Sequence, residues 1–143
     1  GGEARRGHNA RGVRQGAGGY GQVTRPDHDG MGGALGCATY GGRINTGAPD
    51  ATASAQRNSI FDMACTTGWV NPQDEEKNLK WVRSFYGDLF VETGGVPVPG
   101  DAYDGGFINH PDPDLANRAL NTSGVPWFTL YYKDNYTRLQ RIK

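Results

Sequence analysis

The sequence predicts an α+β fold, because two β-prone stretches precede one strongly amphipathic helix and turn-forming residues dominate elsewhere. The chain has 143 residues, a length that suits one domain or part of a larger one. Hydrophobic residues make up 36% of it and 23 residues are glycine, so we expect a modest core beside extensive loops.

The first segment of the chain differs in composition from the remainder. Residues 1–33 contain 11 glycines, and no apolar period of 2 or 3.6 runs through them. Such a segment buries too little surface to offset its chain entropy, so we expect a flexible arm or one held only by a partner. Its arginines and glycines around Tyr20 also suggest an RNA-binding tail, although acidic residues dilute the charge. The ordered domain is expected to span residues 34–143.

The first two elements of this domain are predicted strands. Residues 34–45 are β-prone and contain Gly41-Gly42, which indicate a bulge or a close approach of the backbone. Residues 57–70 alternate in part between apolar and polar positions. Cys37 and Cys65 are too few for a disulfide scaffold. We interpret them as small buried side chains in a sheet, with a redox or nucleophilic role as the alternative.

The clearest predicted helix follows these strands. Asn71 is a candidate cap, Pro72 suits the first helical position, and acidic residues fill the first turn. Gly94-Gly95 are typical of a helix end. The apolar stripe between them consists of Leu79, Val82, Tyr86, Leu89 and Phe90. A stripe along a helix of about 20 residues indicates core that covers a sheet or another helix.

The last part of the chain contains shorter predicted elements. Residues 107–110 are expected to form a short strand that runs into a rigid Pro-Asp-Pro turn. Residues 125–130 then lead into Tyr131-Tyr132, and residues 135–143 are predicted to be helical.

Charge and motifs exclude several classes of function. The 15 basic and 15 acidic residues give no net charge that would attract nucleic acid or an anionic membrane. No uncharged stretch is long enough to span a bilayer, and no secretory signal is visible, which favours a cytoplasmic location. The sequence has no phosphate loop, zinc site or serine triad, and we expect no metal.

Two motifs near the end of the chain carry a family resemblance. Residues 106–115 read Gly-Phe-Ile-Asn-His-Pro-Asp-Pro-Asp-Leu, and residues 131–143 read Tyr-Tyr-Lys-Asp-Asn-Tyr-Thr-Arg-Leu-Gln-Arg-Ile-Lys. They resemble the Tyr-x-Asn-Tyr-x-Asp-x-Asp-Leu and Tyr-Tyr-Gly-x-Asn-Tyr-x-Arg-Leu-x-x-Val-Lys motifs of berberine-bridge-enzyme-like oxidases. Residues 40–45 and 81–86 also match that family in order and spacing. The resemblance covers about residues 34–143.

The resemblance implies a fold, a cofactor and a set of site residues. The family belongs to the vanillyl-alcohol-oxidase flavoprotein superfamily, which implies an antiparallel sheet flanked by helices, with its open face over the ring of FAD. On that basis Tyr40 is expected to point at a small-molecule substrate, and His110 to act as the catalytic base. Asn109, Asn135 and Tyr132 are the expected cofactor-binding residues.

His110 departs from the family pattern, which commonly has tyrosine at this position. A tyrosine with a pKa of about 10 must be stabilised by roughly 4 kcal/mol as its anion before it accepts a proton near neutral pH. An imidazole, with an ordinary pKa of about 6.5, needs no such stabilisation. Histidine is therefore a chemically suitable base here, and the alternative is that His110 only supports the turn at Asp112.

Three functions follow from the resemblance. The chain is the C-terminal, substrate-binding part or a subunit of an FAD-dependent oxidase that acts on a secondary-metabolite or sugar-type alcohol. Alternatively, it is a flavin-free remnant that binds, isomerises or cyclises a small molecule, or an inactive fragment that dimerises through its sheet. The family's FAD-binding domain has no counterpart in the sequence, so we do not expect this chain alone to retain FAD. We expect it to associate with that missing domain or partner chain, or with itself as a homo-oligomer.

Overall fold

A computed structural model describes residues 33–142 in full and residues 2–10 as backbone. The sheet contains three strands, β1 (Gly2–Ala10), β2 (Ala34–Thr39) and β3 (Phe61–Trp69). Their order is β1-β3-β2, and both outer strands run antiparallel to β3. The predicted α+β fold with an antiparallel sheet flanked by helices is confirmed.

Strand β1 differs from the expectation that residues 1–33 form a flexible arm. Its residues pair along the whole of β3, from Gly2 opposite Trp69 to Ala10 opposite Phe61. The free backbone groups of a strand edge pair with a neighbouring chain whatever its side chains, so this strand needs no apolar period. Residues 11–32 lie outside the described residues. The prediction that residues 11–32 belong to a flexible arm therefore stays a prediction. The same holds for the predicted domain boundary at residue 34.

Helix α1 (Glu75–Leu89) packs on β3 and contributes Trp81, Val82 and Tyr86 to the core. It follows a 3-10 turn at Pro72–Asp74, so the helical segment begins at Pro72, the first helical position that the sequence predicts. Val82, Tyr86 and Phe90 are almost completely buried, and each such side chain contributes about 1.5–3 kcal/mol by leaving water. The predicted apolar stripe is thus core at Val82, Tyr86 and Phe90, and Leu89 packs against it partly buried, whereas Leu79 lies outside the core. A further 3-10 turn and Gly94, at a φ of 76°, end the helical segment close to the predicted glycine pair.

The strand predicted over residues 34–45 is shorter than expected. It ends at Thr39, because Gly41 and Gly42 have φ of 111° and 62° and the chain enters a 3-10 turn. A Cβ on Gly41 would lie 2.3 Å from the Ser59 carbonyl oxygen. The glycine pair was predicted to mark either a bulge or a close approach of the backbone, and at Gly41 the structure shows the close approach.

Two other expectations are wrong. Residues 107–110 form a turn instead of a strand, closed by the His110 N–H donating to the Phe107 carbonyl at 2.9 Å, and no strand among the described residues pairs with this segment. Cys65 is buried as predicted, but Cys37 is exposed. The reason is that α1 packs mainly on β3, whereas the end of β2 is not covered.

The C-terminal segment is helical but interrupted. Helix α2 (Trp127–Tyr132) and helix α3 (Tyr136–Gln140) are joined by a 3-10 turn at Lys133–Asn135. The single helix predicted over residues 135–143 is thus a short α-helix that ends at Gln140. Phe128 of α2 stacks on Tyr136 of α3 with 4.2 Å between the ring centroids, so the two helices fold back on each other.

The interruption occurs at a strained lysine. Lys133 has φ of 51° and ψ of −129°, a region that favours glycine, and the family motif has glycine at this position. Its ammonium group pairs with the buried carboxylate of Asp104. The same carboxylate accepts hydrogen bonds from the Asn58 N–H at 2.8 Å and the Ser59 hydroxyl at 2.9 Å. The ion pair thereby ties the α2–α3 junction to the segment that precedes β3.

We predict that the Lys133–Asp104 pair outweighs the strain at Lys133. Lys133→Met keeps the strained backbone but leaves a buried carboxylate without its cation, so it should lower the free energy of unfolding by about 3 kcal/mol. Lys133→Gly also loses the cation but relieves the backbone, and should cost about 1 kcal/mol less. Urea unfolding of both variants measures this difference. Equal stability of the Met and Gly variants would show that the backbone at residue 133 is not strained.

Candidate functional site

The two faces of the sheet carry different side chains. Alternate residues of β3, including Met63, Cys65 and Thr67, are buried on the side of α1. On the other face, which we call the open face, the register of β2 and β3 places small residues and one charged side chain. They are Ala34, Gly36, Ala38, Asp62, Ala64, Thr66 and Gly68. The open face of these two strands is therefore nearly flat, with Asp62 as its only charge.

A cleft of about 710 Å³ lies beside the end of β2. It brings together Tyr40, Asn109 and Tyr132, three of the five predicted site residues. The remaining walls are mostly apolar and consist of Ile44, Ala53, Ser54, Arg57, Phe107, Ile108 and Leu139. Apolar walls with a few converging polar groups are typical of small-molecule sites.

Tyr40 is held in this cleft by two hydrogen bonds of its own, and the residue that accepts the second is itself fixed by another. Its N–H donates to the Ile60 carbonyl at 3.1 Å, which continues the pairing of β2 past its last residue. Its hydroxyl donates to the Gln56 carbonyl at 3.2 Å, and the Gln56 side chain donates in turn to the Tyr131 carbonyl at 2.8 Å. The hydroxyl proton of Tyr40 is thus engaged, while its oxygen can still accept a hydrogen bond from a ligand.

His110 does not line the cleft but lies one ring away from it. The ring of Phe107 contacts Tyr40 on one side and His110 on the other, with 5.7 Å between centroids in both pairs. A third of the His110 side chain is exposed. The structure therefore brings the two predicted catalytic residues into one aromatic group but does not place them in direct contact.

Asp62 faces His110, and sequence reasoning missed it. Its Oδ2 lies 3.4 Å from His110 Nδ1, and only 9% of the residue is exposed. Burial raises the pKa of the Asp62 carboxyl, while the charge of His110 and a backbone hydrogen bond to Met63 oppose that rise. The signal in the sequence was an acidic residue inside an apolar β-prone run, where only a functional or paired charge is expected.

Asn135 occupies a different position from the other predicted site residues. It is buried, and its side-chain amide donates to the carbonyl groups of Pro49 at 2.7 Å and Thr52 at 3.2 Å. It holds the loop after the 3-10 turn of residues 42–46 and does not line the cleft. A role for Asn135 at the flavin stays a prediction.

The described part of the chain contains neither a metal-ligand cluster nor a membrane-spanning helix. Residues 2–10 and 33–142 contain no group of three His, Cys, Asp or Glu side chains placed to bind a metal ion. Within the same residues, no helical segment has the length and hydrophobicity that a bilayer crossing requires.

Comparison with known proteins gives consistent matches. Residues 106–143 match the family described as berberine and berberine like. Aclacinomycin-N/aclacinomycin-A oxidase of Streptomyces galilaeus is 51% identical over 105 residues, which cover 73% of this chain and 19% of that protein. Hexose oxidase of Chondrus crispus is 36% identical over 111 residues, covering 73% and 20%. This chain spans about a fifth of the length of these relatives.

Solved structures agree with the sequence matches. A glycopeptide hexose oxidase complexed with teicoplanin superposes with a TM-score of 0.86 and 43% identity, covering 98% of this chain and 28% of that one. Aclacinomycin oxidoreductase superposes with a TM-score of 0.86 and 38% identity, covering 98% and 29%.

The sheet, its helical cover and the aromatic cleft define a partial domain of the flavin-oxidase fold. Residues 106–143 belong to the berberine-like family, and the resemblance predicted from the two C-terminal motifs is confirmed. The relatives of this chain are FAD-linked oxidases.

We predict that Asp62 lowers stability at neutral pH. Its pKa is raised above the ordinary 3.8 in the folded chain, so its ionisation is harder there than in the unfolded chain. The stability of the native chain should therefore fall, relative to Asp62→Asn, as the pH rises from about 4 through the folded pKa.

Urea unfolding across this pH range measures the difference between the two chains. Asp101→Asn is the matched control, because Asp101 is exposed and its replacement removes one charge without changing a buried group. A difference between native chain and Asp62→Asn that stays constant with pH would contradict the prediction.

Proposed function

We propose that this chain supplies the substrate side of the active site in an FAD-dependent oxidase that acts on the hydroxyl group of a small molecule. The observation that carries the proposal is the convergence of Tyr40, Asn109 and Tyr132 on one cleft. Its relatives' names point to sugar or secondary-metabolite hydroxyls as the substrate class. The missing part of the active site would come from an FAD-binding domain or partner chain.

The residues present fit a flat aromatic cofactor. The open face of β2 and β3 has no side chain larger than threonine apart from Asp62, so a planar ring could approach the backbone closely. In the described part of the chain, the Asn109 amide and the Tyr132 hydroxyl make no hydrogen bond and border the same cleft. These two groups would hold the polar edge of the ring, whereas the Asn135 amide is already engaged.

His110 and Tyr40 divide the proton chemistry in this proposal. Tyr40, whose own proton is donated to the Gln56 carbonyl, accepts a hydrogen bond from a second hydroxyl of the substrate and orients the molecule, which leaves the proton of the reacting hydroxyl to His110. His110 removes the proton of the reacting hydroxyl, because an imidazole nitrogen with a free lone pair is a good proton acceptor and a third of this side chain is exposed. FAD, when bound, supplies the two-electron oxidant that accepts the hydride from the carbinol carbon.

A graft gives the direct test of this function. Residues 34–143 replace the matching segment of the Streptomyces galilaeus aclacinomycin oxidase, and oxidation of the parent enzyme's substrate is followed by hydrogen peroxide release. We expect the visible absorbance of bound flavin and measurable turnover. His110→Ala in the graft should lower kcat by about 10²-fold or more, the usual contribution of a general base. Tyr40→Phe should raise KM more than it lowers kcat, because it removes the acceptor oxygen that orients the substrate.

The control in the graft is Asp101→Asn, which changes an exposed residue outside the cleft. A graft that binds flavin but never oxidises the substrate would refute the substrate-side role. Turnover that is nearly unchanged in His110→Ala would show that His110 only supports the turn at Asp112. A colourless graft would favour the flavin-free alternative.

A further inference from the structure

Asp62 is in an unfavourable position for a carboxylate that has no function. It lies on the central strand, is nearly buried, and its Oδ1 has no hydrogen-bond partner among the described residues. A buried carboxylate that is only partly bonded costs free energy, and an alanine or threonine, like those beside it, would avoid that cost. Among the residues whose side chains the structure describes, the base that lies against it is His110.

His110 presents its two ring nitrogens to different surroundings. Nδ1 is buried against Asp62, and no group within hydrogen-bond geometry satisfies it in the described residues. Nε2 also has no partner there, yet it is not among the buried unsatisfied atoms, so it belongs to the exposed third of the side chain. The nitrogen that a substrate can reach is therefore Nε2.

The separation of Nδ1 and Asp62 Oδ2 is long for a hydrogen bond but short for an ion pair. At 3.4 Å it lies beyond the usual 2.7–3.2 Å range of an N–H···O bond. Hydrogen bonds of catalytic groups are often long in structures without ligand and shorten when the substrate binds.

We propose that Asp62 is the positioning residue of His110: its carboxylate keeps the proton on Nδ1, so that the lone pair of the exposed Nε2 is free to accept the substrate proton. This inference rests on the proposed function of His110 as base. After proton transfer His110 carries a positive charge, and the Asp62 carboxylate stabilises it at close range. The unfavourable burial of Asp62 is thus offset only in the protonated state of His110.

The tautomer of His110 tests this proposal without any turnover. In the 143-residue chain labelled with ¹⁵N, the imidazole nitrogen shifts at a pH where the ring is neutral show which nitrogen carries the proton. We expect the Nδ1–H form to dominate in the native chain and in Asp62→Asn, whose side-chain oxygen still accepts. Asp62→Ala should shift the population towards Nε2–H, and Asp101→Asn should leave it unchanged. An Nε2–H form in the native chain itself overturns the proposal, whether or not the Ala variant folds.

The grafted oxidase gives the second readout. Asp62→Asn should lower kcat by roughly tenfold or more with little change in KM, as part of the 10²–10⁴-fold contribution of a general base. Unchanged kcat in both Asp62→Asn and Asp62→Ala overturns the positioning role, even if the tautomer responds to Asp62→Ala. If the graft binds no flavin, the proposed function fails, and the ¹⁵N measurement still decides whether Asp62 controls His110.

Discussion

The packing of α1 on one face of β3 is the constraint on which the rest of the structure depends. Val82 and Tyr86 of α1 are buried in one cluster with Met63 and Cys65 of β3, and the Thr67 hydroxyl donates to the Asn78 side-chain oxygen of α1 at 2.9 Å. A strand that buries alternate residues on one side must present the others on the opposite side. Because α1 covers the other side of β3, Asp62 and its small neighbours lie on the open face, where Asp62 meets His110.

The C-terminal half positions the site around this frame without regular strands. The Tyr131 hydroxyl accepts a hydrogen bond from the Asp112 N–H at 2.7 Å, and Asp112 in turn accepts from the Asp114 N–H. Arg83 of α1 binds Asp114 through two hydrogen bonds at 2.8 and 3.1 Å, which raises the pKa of its guanidinium. The turn that carries His110 is thereby anchored both to α2 and to the helix that packs on β3. An irregular segment fixed at several points can hold a functional side chain as firmly as a strand.

The sequence predicted those parts of the fold that depend on local chemistry. The start of α1 follows from Pro72 and the acidic first turn, and its apolar stripe follows from a period of 3.6, so both were found. The early end of β2 depends on the contact between Gly41 and Ser59, which are 18 positions apart, and no local pattern reports it. Strand β1 likewise results from pairing with a distant edge and leaves no apolar period in its own sequence.

The site residues also divide into those that motifs in the sequence identify and one that only a contact in the fold identifies. Tyr40, Asn109 and Tyr132 were named from family motifs, and the fold brings them to one cleft although 92 positions separate the first from the last. Asp62 was not named, because a motif reports which residue types recur at a site but not which residue lies across from a substituted one. Where histidine takes the place of a tyrosine, its second nitrogen must be given a partner, a requirement that a phenol does not have. A buried carboxylate facing that nitrogen is the simplest way to meet this requirement, and Asp62 stands in that position.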